Sequence, residues 1–308
     1  IVVIINRYDR DKNGKIIKEL ANFGFSGIFR PVSLTFESLL EMSNLHIKCS
    51  SIPNTYVDQL ALEEKGTERK NVAKISRGDY MIFMDVKITN HTNYMMPFSV
   101  RTSILEARGD YDPYNLPFVK LNIEKQMEGT VDANSSEVFK SQAVAVHVAQ
   151  WSDATPVQYD VVLQLLDSEG RTICAKKRRF GFRTAEVILD KLNINDRRIP
   201  LMITRYYEFD TQNGIAVPIS RMRQDIVLMK RCGINGIIVS SFPANDMLLN
   251  LCDQYGIYVF AMSDSRYMFD YVEAHMNHPS IVCWGFPIYN FDHNRCKTIK
   301  NQCEVVDD

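Results

Sequence analysis

With 308 residues, 45% hydrophobic and 24% charged, the chain has room for about two domains of ordinary size and enough apolar material to bury a core in each. A formal net charge of −1, from 36 basic against 37 acidic residues, supplies no field that would gather nucleic acid or an anionic membrane. No stretch approaches the roughly 18–20 apolar residues that a bilayer span requires.

The chain opens on Ile1 within a strand-like run, Ile1–Ile5, so it reads as starting inside a domain, with any targeting segment upstream. Residues 1–35 read as two strand-like pieces around the polar turn Asp9–Gly14. Residues 36–186 carry a β pattern. Ile82, Met84, Val86 and Ile88 alternate with other residues, and Ala143, Ala145 and His147 alternate with Val144, Val146 and Val148. Tyr159–Leu166 and Thr172–Phe182 flank Asp167-Ser-Glu-Gly170, a hairpin signature, and short strands at this spacing predict an immunoglobulin-like sandwich.

From 187 to 308 the rhythm becomes strand then helix. Strands are expected over Ile199–Phe209, Ile234–Ser240, Ile257–Met262 and Ile281–Trp284. The helices between them are a first marked by Ile219, Met222, Ile226 and Met229, then Met247–Tyr255 and Phe269–His275. Pro218 stands at the start of the first helix and Gly233 where it should end. Parallel strands need such crossovers, and four units make about half of a TIM-type α/β barrel, followed by an irregular tail. A half barrel leaves strand edges and one core face open, to be covered by further chain, by the tail Phe291–Asp308 or by a partner, and other protein subunits are the expected partners.

Several signals have plainer readings. Asp9, Asp11, Asn13 and Gly14 imitate the start of a calcium loop, but its twelfth position is Leu20, which favours a polar turn. His275, His278, His293 and Cys296 have a spacing that could hold zinc, although His278 belongs to the run Asn277-His-Pro-Ser280. Ser240 and Ser241 lack a glycine elbow. The basic run Lys176–Arg179 fits a solvated strand end. Seven scattered cysteines without CxxC spacing point to a reducing, intracellular setting, a mitochondrial complex among the options. The sequons Asn90-His-Thr92 and Asn134-Ser-Ser136 point the other way.

Seven motifs run in order along the chain: Ser26-Gly-Ile-Phe-Arg30, Trp151-Ser-Asp-Ala-Thr-Pro156, Asp167-Ser-Glu-Gly170, Gly181-Phe-Arg183, Arg221-Met-Arg-Gln-Asp-Ile-Val-Leu-Met-Lys230, Leu251-Cys-Asp-Gln-Tyr-Gly-Ile-Tyr-Val259 and Asn277-His-Pro-Ser-Ile-Val-Cys-Trp284. In these the chain resembles glycoside hydrolase family 2, the β-galactosidase branch above all. The resemblance implies the end of a sugar-binding jelly roll over 1–35, the immunoglobulin-like domain over 36–186, and the first half of the barrel over 187–308.

Retaining chemistry in this class needs an acid/base and a nucleophilic carboxylate roughly 5 Å apart. By resemblance, Ile288 and Tyr289 stand where the family has its asparagine and acid/base glutamate, and Tyr207 where a histidine contacts substrate. Ile238 and Ser241 stand for an arginine and a histidine. Arg266 and Met268 stand for a magnesium-binding glutamate and a histidine, and Ala21 for an aspartate that meets substrate and a monovalent cation. A phenol is a poor general acid and a guanidinium repels magnesium. The expectation is therefore a pseudoenzyme without cofactor or metal, serving as a structural subunit. An active β-galactosidase fragment is the first alternative and a carbohydrate-binding module the second, although carbohydrate is not the expected partner.

Overall fold

The computed structural model describes residues 30–32, 34, 36–52, 76–107, 124–239, 243–263, 268–285, 297–298 and 300–301. The strand-like pieces and the calcium-loop imitation expected within residues 1–29 lie outside these. Of the strands it contains, β1 is Leu40–Ile52, β2 Arg77–Asn90, β3 Met96–Ala107, β4 Glu124–Val131, β5 Ser136–Ala149, β6 Gln158–Leu166 and β7 Thr172–Phe180. They form two antiparallel sheets, ordered β1-β2-β5 and β4-β3-β6-β7.

Alternation places one side of each strand inward. Tyr80, Ile82, Met84, Val86 and Ile88 of β2 share a single core with Phe98, Val100 and Ile104 of β3 and with Tyr159, Val161, Leu163 and Leu165 of β6. In β5 the alternation breaks. His147 takes φ 58 and its N–H donates to Asp79 Oδ1 at 2.7 Å, while the register with β2 slips between Gly78 and Tyr80. Ala145 and Val148 are both buried although three residues apart, because the bulge adds one residue and reverses the facing of the rest of the strand.

The Asp167–Gly170 turn is closed by its own first residue, whose carboxylate accepts the N–H groups of Glu169 and Arg171, and Gly170 takes φ +77. Within the basic run, Arg179 binds Asp160 through two nitrogens, Lys177 lies 3.4 Å from the same carboxylate, and Lys176 pairs with Glu37. Asn90 is fully buried, and its amide donates to the carbonyls of Tyr94, Val131 and Asp132. Its sequon is thus part of the core, with no free nitrogen to carry a glycan.

Beyond the sandwich comes a three-stranded meander that the sequence pattern conceals: β8 Ala185–Ile188, β9 Lys191–Ile194 and β10 Arg197–Arg198. Its turns are Leu189-Asp190 and Asn195-Asp196, all four residues at positive φ. Asn-Asp suits such a tight hairpin, whereas a leucine there gives no turn signal. It crosses the boundary expected at 186/187.

The remaining elements alternate: β11 Ile203–Tyr206, α1 Ile219–Arg231, β12 Gly236–Val239, α2 Asp246–Tyr255, β13 Tyr258–Met262, α3 Met268–His275 and β14 Ile281–Gly285. The four strands are parallel and lie in chain order. Met222, Ile226 and Met229 of α1, with Leu248, Leu249, Leu251 and Cys252 of α2, cover one face of the sheet against Ile237, Val239, Val259 and Ala261. α1 ends where Gly233, at φ +78, lets Ile234 N–H reach the Met229 carbonyl and Gly233 N–H reach that of Lys230. Within the expected irregular tail, residues 297–298 and 300–301 are helical and the rest lies outside the described residues. Among the described residues no helix is long and apolar enough to cross a membrane.

Candidate active site at the ends of the parallel strands

Ligands of parallel α/β sheets meet the C-terminal ends of the strands, where loops converge and helix N-termini point. Here those ends carry Tyr207 and Glu208 after β11, Pro243–Asn245 before α2, Met262 at the end of β13 with Ser263 after it, and Trp284 and Gly285 in β14. Tyr206 turns outward, its hydroxyl bonded to Asp225 of α1 at 3.2 Å, while the neighbouring Tyr207 is 45% exposed. Register aligns Arg205, Ile238, Phe260 and Cys283 across the four strands. These four belong to the face of the sheet that the helices leave uncovered.

Among the described residues, Glu208 is the enclosed carboxylate of this end, with 14% of its side chain exposed. It accepts the Asn245 N–H at 2.9 Å and lies 3.7 Å from the Arg30 guanidinium. Burial, reinforced by Asp246, pushes its pKa up, while Arg30 and the Asn245 amide oppose the shift. Arg30 itself donates to the carbonyls of Pro243 at 2.5 Å and Ala244 at 3.1 Å. The Ala244 N–H donates to the Tyr271 hydroxyl at 2.9 Å, and the Tyr271 ring stands edge-on to Trp284 with centroids 5.5 Å apart. Burial raises the Tyr271 pKa far above its ordinary value. Asn245 caps α2 by accepting the Met247 N–H at 3.0 Å.

Of the eight positions singled out in the sequence, the structure places Ile238 on this face and Tyr207 just beyond the end of β11. Met268 instead lies 2% exposed in the helix-side core. Ala21, Ser241, Arg266, Ile288 and Tyr289 lie outside the described residues, as do Ser240, His293 and Cys296. Within the spacing that could hold zinc, the His275 and His278 rings are 5.7 Å apart, but each faces a carboxylate: His278 Nδ1 is 2.6 Å from Asp253, and His275 is 3.7 Å from Asp246. Arg30 ends the first of the seven motifs and Glu208 adjoins Tyr207, yet the sequence marks neither as a site residue. Only the fold shows that residues 178 positions apart in the chain share one anchor.

His275 has a consequence for stability. Burial, with help from His278, pushes its pKa down from 6.5 to about 4, against the pull of Asp246. An unfolded chain would bind that proton first, so the contribution is complete above pH 6.5 and is lost as pH falls toward about 4. Thermal melts of the native protein and His275→Gln are expected to converge across this window. A constant difference between the two from pH 7.5 to 4 would refute the assignment.

The framework motifs gather at the seam between sandwich and barrel. The Trp151 indole donates to the Asp253 carbonyl at 2.9 Å and stands edge-on to Tyr258. The Asp253 carboxylate, 2% exposed, accepts the Ser280 N–H and engages His278. Asn277 accepts the Ile47 N–H, Arg183 donates to the Ile281 carbonyl, and Lys230 donates to the carbonyls of Asp153 and Gly256.

Residues 186–268 match the glycosyl hydrolases family 2, TIM barrel domain. A β-galactosidase of Yersinia enterocolitica is 24% identical over 310 aligned positions, covering 92% of this chain and 27% of that protein. The chain is glycoside hydrolase family 2-like. A β-galactosidase of Priestia megaterium is 32% identical to this family 2-like chain over 58% of its length, which is 20% of the relative. A GH2 β-galacturonidase from Eisenbergiella tayi bound to galacturonate has the same fold over 88% of the family 2-like chain and 45% of its own, with TM-score 0.66 and 18% identity. A Bacteroides uniformis β-glucuronidase gives TM-score 0.62 at 18% identity, covering 76% of the chain and 30% of its own. The chain thus spans about a quarter of the length of the first of these curated relatives.

These relatives overturn the expectation of a catalytically silent protein. They are named as enzymes, and no described residue of the family 2-like chain shows a catalytic group to have been lost. The expectation rested on side-chain identities at aligned positions, five of which lie outside the described residues. Such identities do not establish which groups converge in space.

Proposed function

We propose that this chain is the central portion of a family 2 glycosidase whose whole protein hydrolyses β-glycosides, β-galactosides first among them. In this reading residues 1–35 end a sugar-binding jelly roll, 36–186 are an immunoglobulin-like sandwich, and 187–308 open the TIM-type barrel. The observation that carries it is the four-stranded parallel sheet in chain order, its C-terminal ends gathered beside Tyr207 and Glu208. That end is where barrel enzymes hold their substrates. The sandwich supports the assignment, since its strand order of three against four places one shared core between two antiparallel sheets.

The test is hydrolysis of p-nitrophenyl β-D-galactoside, β-D-glucuronide and β-D-galacturonide by the full-length protein. Turnover of at least one, with kcat within about a thousandfold of an ordinary value near 10 per second, is the expected result. Absence of turnover on all three sinks the reading.

A second reading concerns the uncovered face of the sheet, where Tyr207 and Cys283 are exposed among the described residues. Other protein subunits would cover it. Native mass measurement checks this, and a monomer without partners would count against it.

A further inference from the structure

We propose that Arg30 and Glu208 together form a positioning clamp for the loop that enters α2, fixing the wall of the candidate site at that point. The inference rests on the glycosidase reading for its catalytic consequence, but not for its geometry.

Three consecutive residues of this loop have backbone groups bound by side chains from distant parts of the chain. The Pro243 and Ala244 carbonyls accept from two nitrogens of Arg30, which precedes the sandwich. The Asn245 N–H donates to Glu208 beyond the end of β11, and the Ala244 N–H donates to Tyr271 of α3. Surface loops ordinarily leave such groups to water. A guanidinium bridges two carbonyls because its donors are held in a rigid fork, which an ammonium cannot copy. The carboxylate then neutralises that fork and takes up the next amide. Ala244 is fully buried between them.

Stability alone does not account for this arrangement. Glu208 sits where burial penalises its charge, and removing one member of an ion pair is costly chiefly where the other charge is left buried. Arg30, with 32% of its side chain exposed, has that recourse. A glutamine there offers one acceptor oxygen, where the carboxylate gives one oxygen to the amide and turns the other toward the fork, so it holds the two together less firmly.

The experiment compares Glu208→Gln, Arg30→Met and Arg30→Lys in the full-length protein by melting temperature, amide exchange of the peptide covering 243–250, and steady-state kinetics on the best aryl β-glycoside. For Glu208→Gln the expected result is an unchanged or higher melting temperature, exchange about tenfold faster in that peptide, and kcat down about tenfold with KM changed less than about twofold. Arg30→Met should match it, and Arg30→Lys should fall between Arg30→Met and the native protein. Unchanged exchange in both Glu208→Gln and Arg30→Met overturns the clamp. So does a kcat loss that merely follows the loss of folded protein. Should Glu208→Gln fail to accumulate folded, Arg30→Lys carries the same readings. If the native protein cleaves no glycoside, the glycosidase reading falls and amide exchange alone decides the clamp.

Discussion

Replacing Trp151 with alanine is expected to lower stability by about 4–7 kcal/mol and to split unfolding into separate sandwich and barrel transitions. Truncating a buried tryptophan costs roughly 3–5 kcal/mol, and a deprived buried carbonyl adds about 1–2 kcal/mol. Trp151 is fully buried in the cluster it forms with Ile194 and Tyr258. Its indole meets the Asp253 carbonyl in the last turn of α2, where carbonyls lack helical partners, so the ring both fills the seam and caps the helix. Its own backbone is held as well, the N–H donating to the Phe182 carbonyl and the carbonyl accepting from Asn195. Trp151→Phe separates the two contributions. It keeps most of the packing and loses the donor, so about 2 kcal/mol is expected. Scanning calorimetry reads both variants. A single transition near the native temperature for Trp151→Ala would contradict the role given to the seam.

Two glycines offer a controlled comparison. Gly233 and Gly256 both end helices in the left-handed region, at φ +78 and +68. Around Gly233 an added Cβ would meet nothing within 4 Å, so Gly233→Ala should cost only the left-handed penalty of about 1 kcal/mol. At Gly256 the same atom would stand 2.5 Å from the Asp153 carbonyl oxygen and 2.8 Å from its Cα. That backbone cannot move freely, since Lys230 binds the same carbonyl and the Tyr258 hydroxyl bonds the Asp153 carboxylate at 3.1 Å. Overpacking against it adds about 2 kcal/mol, giving roughly 3 kcal/mol for Gly256→Ala. Urea unfolding of the two variants should therefore differ about threefold in lost stability. Equal losses would mean that the seam yields and that the close approach matters little.

Local pattern and distant contact are legible to different degrees. The periods of β2 and α1 were legible because each element has one buried face, so Ile82 to Ile88 step by two and Met222, Ile226 and Met229 step by three and four. The β8–β10 meander was not legible. All four residues of Ala185–Ile188 are exposed, leaving no alternation to read, and Leu189 occupies a left-handed turn without a turn residue's signature. The bulge at His147 was hidden for a related reason: a single inserted residue reverses facing without altering composition.

The site divides in the same way. The alternation of strands and helices was legible in the chain, whereas the convergence of Glu208 and the loop before α2 at the strand ends was not. Catalytic silence could not be read in that manner. It compared side chains by alignment, whereas chemistry depends on which groups meet in space. Gly256 makes the complementary case, because its motif was visible in the chain and its reason lies 103 residues away at Asp153.

By itself the sequence determined the order of the sandwich strands and of the alternating strands and helices, and the family likeness, since periodicity, helix-ending glycines and motif order are properties of neighbours along the chain. Only the tertiary structure decided that Trp151, Asp253, Asn277 and Arg183 form one seam, and that Arg30 and Glu208 hold one loop. Such contacts join residues far apart in sequence, and their bond angles, burial and charge exist only once the chain has closed upon itself.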